Sequence, residues 1–251
     1  MPESLLLWLA LAAYGGAGAL CLRRAAVAAF PLLALAVLLH TGSLATRWAA
    51  LGHGPFTTMH EILSSNLWSL SLVLVLAAWA LREVRAVLGA ALPVLVVLGA
   101  WLLLADASPG HLPSTYATPL LYIHALVGKV YLGLLLVAVA LGARSWWHAD
   151  AARSDELAHR FAAFALVFDS LMLIVGAVWA QDAWGRWWAW DPLESWAFAS
   201  WLALVTALHA RAALRPTPRR HAAWLAGVFV LAFLTFFGVP FISTAPHQGA
   251  L

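Results

Sequence analysis

Histidine and tryptophan are the residues of this chain whose types and positions could support chemistry. The 251-residue sequence contains ten histidines and fifteen tryptophans, and seven of the tryptophans lie within residues 179–201. An indole ring is large, flat and amphipathic, so such a cluster fits either a membrane–water interface or the face of a broad planar ligand. An interfacial belt would distribute tryptophans over every helix end, whereas these occupy one connection between two apolar segments. Residues 179–201, the tryptophan stretch, are therefore a candidate binding surface.

The C-terminal part of the tryptophan stretch predicts the start of a helix. Asp191 offers a capping carboxylate, Pro192 suits the first helical position, and Glu194 follows just before an apolar run. The tryptophans are then expected at the mouth of a membrane helix and not in its middle.

Two histidines are expected at the same membrane face as the tryptophan stretch. His124 lies a few residues into an apolar segment, and His247 follows the last one. Two imidazoles that approach one plane from opposite sides suit six-coordinate haem iron, with indoles covering the porphyrin. The alternative is a pair of interfacial histidines that never meet.

His209 is expected at a different depth in the membrane from His124 and His247. It follows Pro192 by seventeen residues, which corresponds to about 25 Å along a helix. It therefore cannot share the first site. Either it snorkels beside Arg211, or it is half of a second ligand pair whose partner comes from elsewhere.

The other histidines receive simpler interpretations. Three lie in basic loops and are expected to be solvated surface residues: His148, His159 and His221. His40 is expected to be a hydrogen-bonded core residue and not a ligand. Three more lie in connections where they either line a cavity or are simply hydrated: His53, His60 and His111.

Composition defines the broad class of protein. With 64% hydrophobic and 10% charged residues, the chain is typical of an all-α polytopic membrane protein. The pattern predicts about eight transmembrane helices in a single membrane domain over 1–251, with the tryptophan-rich loop between helices 6 and 7. The predicted spans are 4–22, 25–44, 66–81, 86–105, 120–142, 161–181, 192–211 and 222–241. The first is expected to be a retained helix and not a cleaved signal. The single cysteine, Cys21, excludes an internal disulfide and a C-x-x-C-H haem attachment site.

The arginines predict an orientation. Eleven of the thirteen lie in alternate connections, and only Arg47 and Arg186 lie in the opposite set. By the positive-inside rule, the arginine-rich connections are cytoplasmic, and both termini and the tryptophan stretch face outward. The net charge of +3 thus reflects topology, and no nucleic-acid partner is expected.

The run from Trp184 to Glu194 resembles the WWD signature, W-G-x-[YW]-W-x-W-D-P-K-E, of the haem-handling proteins of cytochrome c maturation. Within that group the chain resembles the CcsA/ResC branch of the system II pathway. Four further segments carry the resemblance: Arg47-Trp48 with His53-Gly-Pro55 and Glu61, Leu121-Tyr-Ile-His124, Leu208-His209-Ala-Arg211, and Phe237-Gly-Val-Pro240 through His247. It covers about residues 47–248, and residues 1–45 match only as apolar spans.

The resemblance implies roles for particular residues. His124 and His247 would be axial ligands of an outward-facing haem b, and His209 would ligate a haem nearer the cytoplasm. The platform around the outer haem would be formed by Trp184, Trp187, Trp188, Trp190, Asp191 and Glu194. The sequence departs from the branch in two places: His60 lies in a segment that usually reads P-x-S-N-L-Y-E-S, and Leu193 replaces the lysine of D-P-K-E.

The resemblance also implies a function. The chain would be the haem-handling subunit of a cytochrome c haem lyase in the bacterial cytoplasmic membrane, moving haem outward for attachment to apocytochrome c. The implied partners are a CcsB/ResB-like membrane protein, apocytochrome c with its C-x-x-C-H motif, thiol-reducing thioredoxin-like proteins and membrane lipid. Two alternatives remain: a haem exporter or chaperone without ligase activity, similar to the CcmC branch, and a b-type electron-transfer cytochrome. The latter normally places both ligands within helices.

Overall fold

A computed structural model describes residues 2–23, 25–113, 116–148 and 151–242. Throughout these ranges the regular secondary structure is helical, which confirms the predicted all-α fold. The helices are α1 (Pro2–Leu22), α2 (Ala26–Leu51), α3 (Met59–Ala80), α4 (Arg82–Arg85), α5 (Leu88–Leu104), α6 (Pro119–Trp147), α7 (Ala152–Trp184), α8 (Pro192–Leu214), α9 (Pro218–Phe237) and α10 (Val239–Ile242).

Seven of these helices are long and apolar enough to cross a membrane: α1, α2, α3, α6, α7, α8 and α9. The fourth predicted span, 86–105, corresponds to α5, whose 17 apolar residues lie at the short end of the range for a spanning helix. The third predicted span, 66–81, is short for a membrane helix unless residues from Met59 extend it, and α3 does begin at Met59, where the Thr58 side chain caps it by accepting the Glu61 N–H. The arrangement is that of a multi-pass membrane protein.

Two of the three histidines predicted to be solvated are instead packed among helices. His221 is fully buried in the first turn of α9 and His159 is half-buried in α7, whereas His148 is exposed as predicted. The prediction was wrong for His221 because α7 begins at Ala152 and not near residue 161. The early start brings Asp155 into the helix, where its carboxylate binds the buried ring and compensates its burial.

The chain forms two compact units, Met1–Leu112 and Pro113–Gly249, and a single membrane domain stays a prediction. In the first unit, Arg47 joins the ends of several segments. Its guanidinium donates to the carboxylates of Glu61 and Glu3 and to the carbonyl oxygens of Ala107 and Ser108. Arg47 is therefore a structural tie.

The histidines of the first unit follow the predictions in part. His40 is a hydrogen-bonded core residue, as predicted, because its ring lies between the Tyr14 hydroxyl and the Ser64 hydroxyl. His60 is buried, His53 is half-buried and His111 is exposed.

The second unit carries the candidate site. Its core is centred on α6, which packs against α7 and α9, while α8 packs against α7 and α9. Tyr131, Leu132 and Leu135 of α6 are fully buried there. The end of α7 that carries Trp179 is thereby held beside the start of α6, where His124 lies.

Candidate functional site

The start of α8 fixes the end of the tryptophan stretch, and the predicted cap is confirmed. The Asp191 carboxylate accepts the Glu194 N–H at 2.9 Å, and Pro192 occupies the first helical position. The buried Glu194 carboxylate accepts the Ala189 N–H at 2.7 Å. A capping box would direct this carboxylate to the N–H of Asp191, so here it reaches further back along the chain.

The reason lies at Trp190, whose backbone is left-handed. Its φ is 58°, a conformation that costs a residue with a Cβ about 1–2 kcal/mol. Two contacts from α8 hold the chain around Trp190: the Glu194 carboxylate accepts the Ala189 N–H, and the Ser195 hydroxyl donates to the Trp190 carbonyl at 3.2 Å. The first turn of α8 therefore dictates where the neighbouring indole rings lie.

Two groups of aromatic rings are arranged around this segment. In the first, the Trp179 ring lies 5.0 Å from that of Trp184, 5.1 Å from that of Tyr116 and 5.9 Å from that of His124, between centroids. Trp179 is buried and Trp184 is half-buried. This first group joins the end of α7 to the start of α6 and contains one of the two predicted outer ligands.

The second group is built on Phe198 of α8. The rings of Trp188 and Trp190 meet its edge at 6.3 Å and 6.0 Å, and Trp201 stacks on it at 5.8 Å with an interplanar angle of 9°. The Trp201 indole N–H donates to the Ser170 hydroxyl of α7 at 2.8 Å. Trp190 is 66% exposed, so this group reaches the surface, and nearby in the sequence Trp187 is 58% exposed.

His124 is oriented by α7. Its Nδ1 lies 3.0 Å from the carbonyl oxygen of Met172, and because a carbonyl only accepts, Nδ1 carries the proton. In a neutral imidazole the lone pair is then on Nε2, the nitrogen that ligates metal, and a hydrogen bond from Nδ1 to a backbone carbonyl is the usual support of a ligating histidine. The ring also stacks on Trp179 with an interplanar angle of 28°.

Gly176 makes this position accessible. A Cβ at residue 176 would lie 2.9 Å from Cε1 and 3.0 Å from Nδ1 of His124. Residues 172 and 176 lie on one stripe of α7, so the missing side chain exposes the Met172 carbonyl to the ring. Gly176 was not among the residues predicted from the sequence, although an isolated glycine inside an apolar helix is a signal of close packing.

His209 is exposed on α8, near the end of the helix opposite to the cap. Its Nδ1 lies 3.0 Å from the Val205 carbonyl oxygen, which fixes the same tautomer as in His124. The ring lies in an open surface groove lined by Val205, Thr206, His209, Ala210, Ala213 and Leu214. The groove therefore lies about 25 Å along α8 from the Asp191 cap.

The described residues fit a haem. Two histidines carry the proton on Nδ1, so the lone pair of each neutral ring is on Nε2, the usual ligating nitrogen, and Trp179 stacks on one of them, His124. His247 lies outside the described residues, so the predicted pairing with His124 stays a prediction. The structure brings Trp179 and Tyr116 to His124, and it keeps His209 apart from both.

The chain is similar to known proteins. The model of the family "Cytochrome C assembly protein" matches residues 56–247. Cytochrome c biogenesis protein CcsA of Prochlorococcus marinus (strain MIT 9515) is 39% identical over 94 residues, which are 38% of this chain and 30% of that protein. The CcsA of Guillardia theta is 38% identical over 94 residues, 38% of this chain and 31% of its own length. Each alignment thus covers less than a third of the relative.

A solved structure, cytochrome c haem lyase CcmF, has the same fold with a TM-score of 0.76 and 20% identity, covering 94% of this chain and 46% of CcmF. The family match extends over well over half of this chain and includes the tryptophan stretch and His124. The relatives named CcsA support the predicted resemblance to the CcsA/ResC branch, and the chain belongs to the cytochrome C assembly protein family.

Proposed function

We propose that this chain is the haem-handling subunit of a cytochrome c haem lyase, which takes haem b across the membrane and presents it for attachment to apocytochrome c. The observation that carries the proposal is the tautomer of His124, whose Nδ1 donates to the Met172 carbonyl while its ring stacks on Trp179, the neighbour of Trp184. The names of the related proteins, cytochrome c biogenesis protein and cytochrome c haem lyase, support the same role.

The chemistry of attachment requires little from this chain beyond position. A cysteine thiol of the apocytochrome adds across a haem vinyl group, so one C–S bond forms and the thiol hydrogen goes to the neighbouring vinyl carbon. Both reacting groups belong to the substrates, and their alignment supplies the rate. His124 would hold the iron, and the rings of Trp188 and Trp190 would limit how the porphyrin tilts. The cysteine thiols of the apocytochrome must stay reduced, and a thioredoxin-like partner would reduce them.

The second histidine supports a route with two stations. His209 would ligate haem from an open surface, and a second imidazole from a CcsB/ResB-like partner would complete its coordination. His247 would be the second ligand at the outer station. In this orientation the tryptophan stretch faces outward, and the arginine-rich end of α8 faces the cytoplasm.

The experiment compares histidine variants of the full chain in a strain that lacks its own copy and carries a c-type cytochrome reporter. We expect His124→Gly and His209→Gly to lower haem in the purified protein, and added imidazole to restore part of it by filling the open coordination position. His148→Gly, which removes an exposed histidine, is the matched control and should leave haem and reporter unchanged.

Three results are informative. If His124→Gly keeps the wild-type haem content and absorption spectrum, the proposed outer ligand is wrong. If the variants lose haem while the reporter still matures, the chain is an exporter or chaperone and not a lyase subunit. If the haem is retained and turns over electrons without any effect on the reporter, the b-type cytochrome is the better description.

A further inference from the structure

Asp155, near the start of α7, binds two other helices through one carboxylate. Oδ2 accepts a hydrogen bond from the Arg211 guanidinium of α8 at 2.8 Å, and Oδ1 lies 2.7 Å from Nδ1 of His221 in α9. Asp155 is 5% and His221 0% exposed, and the Arg211 side chain is 25% exposed. A buried carboxylate is tolerated only with charged or hydrogen-bonding partners, so these three side chains stabilise one another where the helices meet.

The remaining neighbours of this network extend it over the same helix ends. The His159 ring of α7 lies 5.8 Å from the His221 ring, between centroids. Arg219 of α9 donates to the carbonyl oxygen of Ser145 in α6 at 3.1 Å. Contacts between α7, α8 and α9 at this end are thus polar and directional, in contrast to the apolar packing along the helices.

The network fixes one face of α8. Leu204, Ala207 and Arg211 share a stripe of this helix, and Leu204 and Ala207 are buried. Ala207 is the last buried residue of α8. Beyond it, the hydrogen bond from Arg211 to Asp155 holds the final turns of α8 against α7.

His209 lies on the opposite face for a geometric reason. Successive residues of an α-helix are rotated by about 100°, so positions 209 and 211 differ by about 200°. When Arg211 is held inward against α7 and α9, His209 must point away from both. This is the observed arrangement, with His209 exposed in its surface groove.

We propose that Asp155, through Arg211 and with His221 as its second partner, is a positioning residue that sets the rotation of α8 and so directs His209 outward to its ligand. The inference rests on the proposed function in one respect, namely that His209 is a haem ligand. The rotation itself is independent of haem, and it is tested separately.

The first test measures the rotation without haem. In a Cys21→Ser background, single cysteines replace Thr206, which is exposed, and Ala207, which is buried. In detergent, we expect a maleimide to react with position 206 about tenfold faster or more than with position 207, because a buried site reacts only after local opening. Asp155→Ala should reduce this contrast severalfold.

Glu156→Ala is the matched control. Glu156 is adjacent in sequence, but it pairs with Arg160 on an exposed surface, at side-chain exposures of 45% and 61%. Such a pair contributes little, so the 206/207 contrast should stay at its wild-type value. Arg211→Met is a second variant that removes only the α8 side of the network, and it decides the question if Asp155→Ala does not fold.

The second test uses the absorption spectrum of haem in the full chain purified together with its CcsB/ResB-like partner, which supplies the second imidazole of the His209 station. We expect Asp155→Ala and Arg211→Met to lose the six-coordinate signature of the His209 station and to regain it with added imidazole, as His209→Gly does. Imidazole replaces a misdirected ligand, but it does not repair an unfolded site, so recovery distinguishes positioning from a structural defect.

The outcomes separate the two hypotheses. If both variants keep the wild-type labelling contrast and haem spectrum while His209→Gly loses haem, Asp155 is not a positioning residue and the proposed function stands. If His209→Gly keeps its haem, the inner station of the proposed function fails. In that case the labelling contrast still decides whether Asp155 sets the rotation of α8.

Discussion

Gly176→Ala adds one carbon atom beside His124, and its effect follows from the distances around the imidazole ring. The new Cβ would lie 2.9 Å from Cε1 of the ring, whereas carbon atoms in contact stay about 3.5–4.0 Å apart. The imidazole must therefore move by about 0.6–1 Å. Its hydrogen bond to the Met172 carbonyl, now 3.0 Å, would lengthen towards about 3.6 Å, where a hydrogen bond no longer exists.

The change in stability should be small. Replacing glycine by alanine in a helix raises the free energy of unfolding by about 1 kcal/mol. Overpacking costs about 1–3 kcal/mol, and the lost hydrogen bond costs about 1 kcal/mol more. The net loss is about 1–3 kcal/mol, so the variant should fold. Haem binding should suffer more, since removing the support of a metal ligand typically weakens affinity by about 10–100-fold.

The assay measures haem affinity by absorption titration and stability by thermal unfolding, both in detergent. Gly227→Ala is the matched control, because residue 227 lies in α9 and a Cβ there would contact nothing within 4 Å. It should leave haem affinity unchanged and raise stability slightly. The reasoning is refuted if Gly176→Ala binds haem as tightly as the wild type, or if Gly227→Ala loses haem equally.

Two further predictions concern the tryptophan stretch and the topology. Glu194→Ala should free the Ala189 N–H and make the chain after Arg186 accessible to trypsin. Glu194→Gln still offers an oxygen acceptor, so trypsin should cleave it at a rate close to that of wild type. Equal cleavage rates for the two variants would contradict a stabilising role of the Ala189–Glu194 hydrogen bond. In a Cys21→Ser background, Ala117→Cys should react with an impermeant thiol reagent in intact cells and Ala152→Cys only after permeabilisation, and the reverse pattern would overturn the orientation.

Local features of the fold were predictable because they depend on neighbouring residues. The Asp191-Pro192 start of α8 needs only a side chain, a fixed φ and an N–H three residues on, and the structure has it as predicted. The apolar helices follow from their length and composition. His40 was correctly assigned to the core because an imidazole within an apolar span needs polar partners, which Tyr14 and Ser64 supply.

Contacts between distant segments were not predictable in the same way. His221 was predicted to be solvated because its sequence neighbours are arginines, yet its partner Asp155 lies 66 residues earlier in the chain. The approach of His124 to Gly176 also depends on how α6 packs on α7, which no local pattern records. Glu194 was recognised as a capping residue, but its bond to Ala189 depends on the left-handed turn at Trp190.

The length of α7 has a mechanical consequence. The helix runs for 33 residues without an internal proline, which corresponds to about 50 Å and exceeds the hydrocarbon core of a bilayer by about 20 Å. Asp155 and Trp184 lie near its two ends, about 43 Å apart along the axis. As a rigid lever pivoting near its centre, α7 would move each of these ends by about 2 Å for a tilt of about 5°, in opposite directions. Bilayer thickness, which sets helix tilt, therefore acts on the surroundings of His124 and on the end of α8 at the same time.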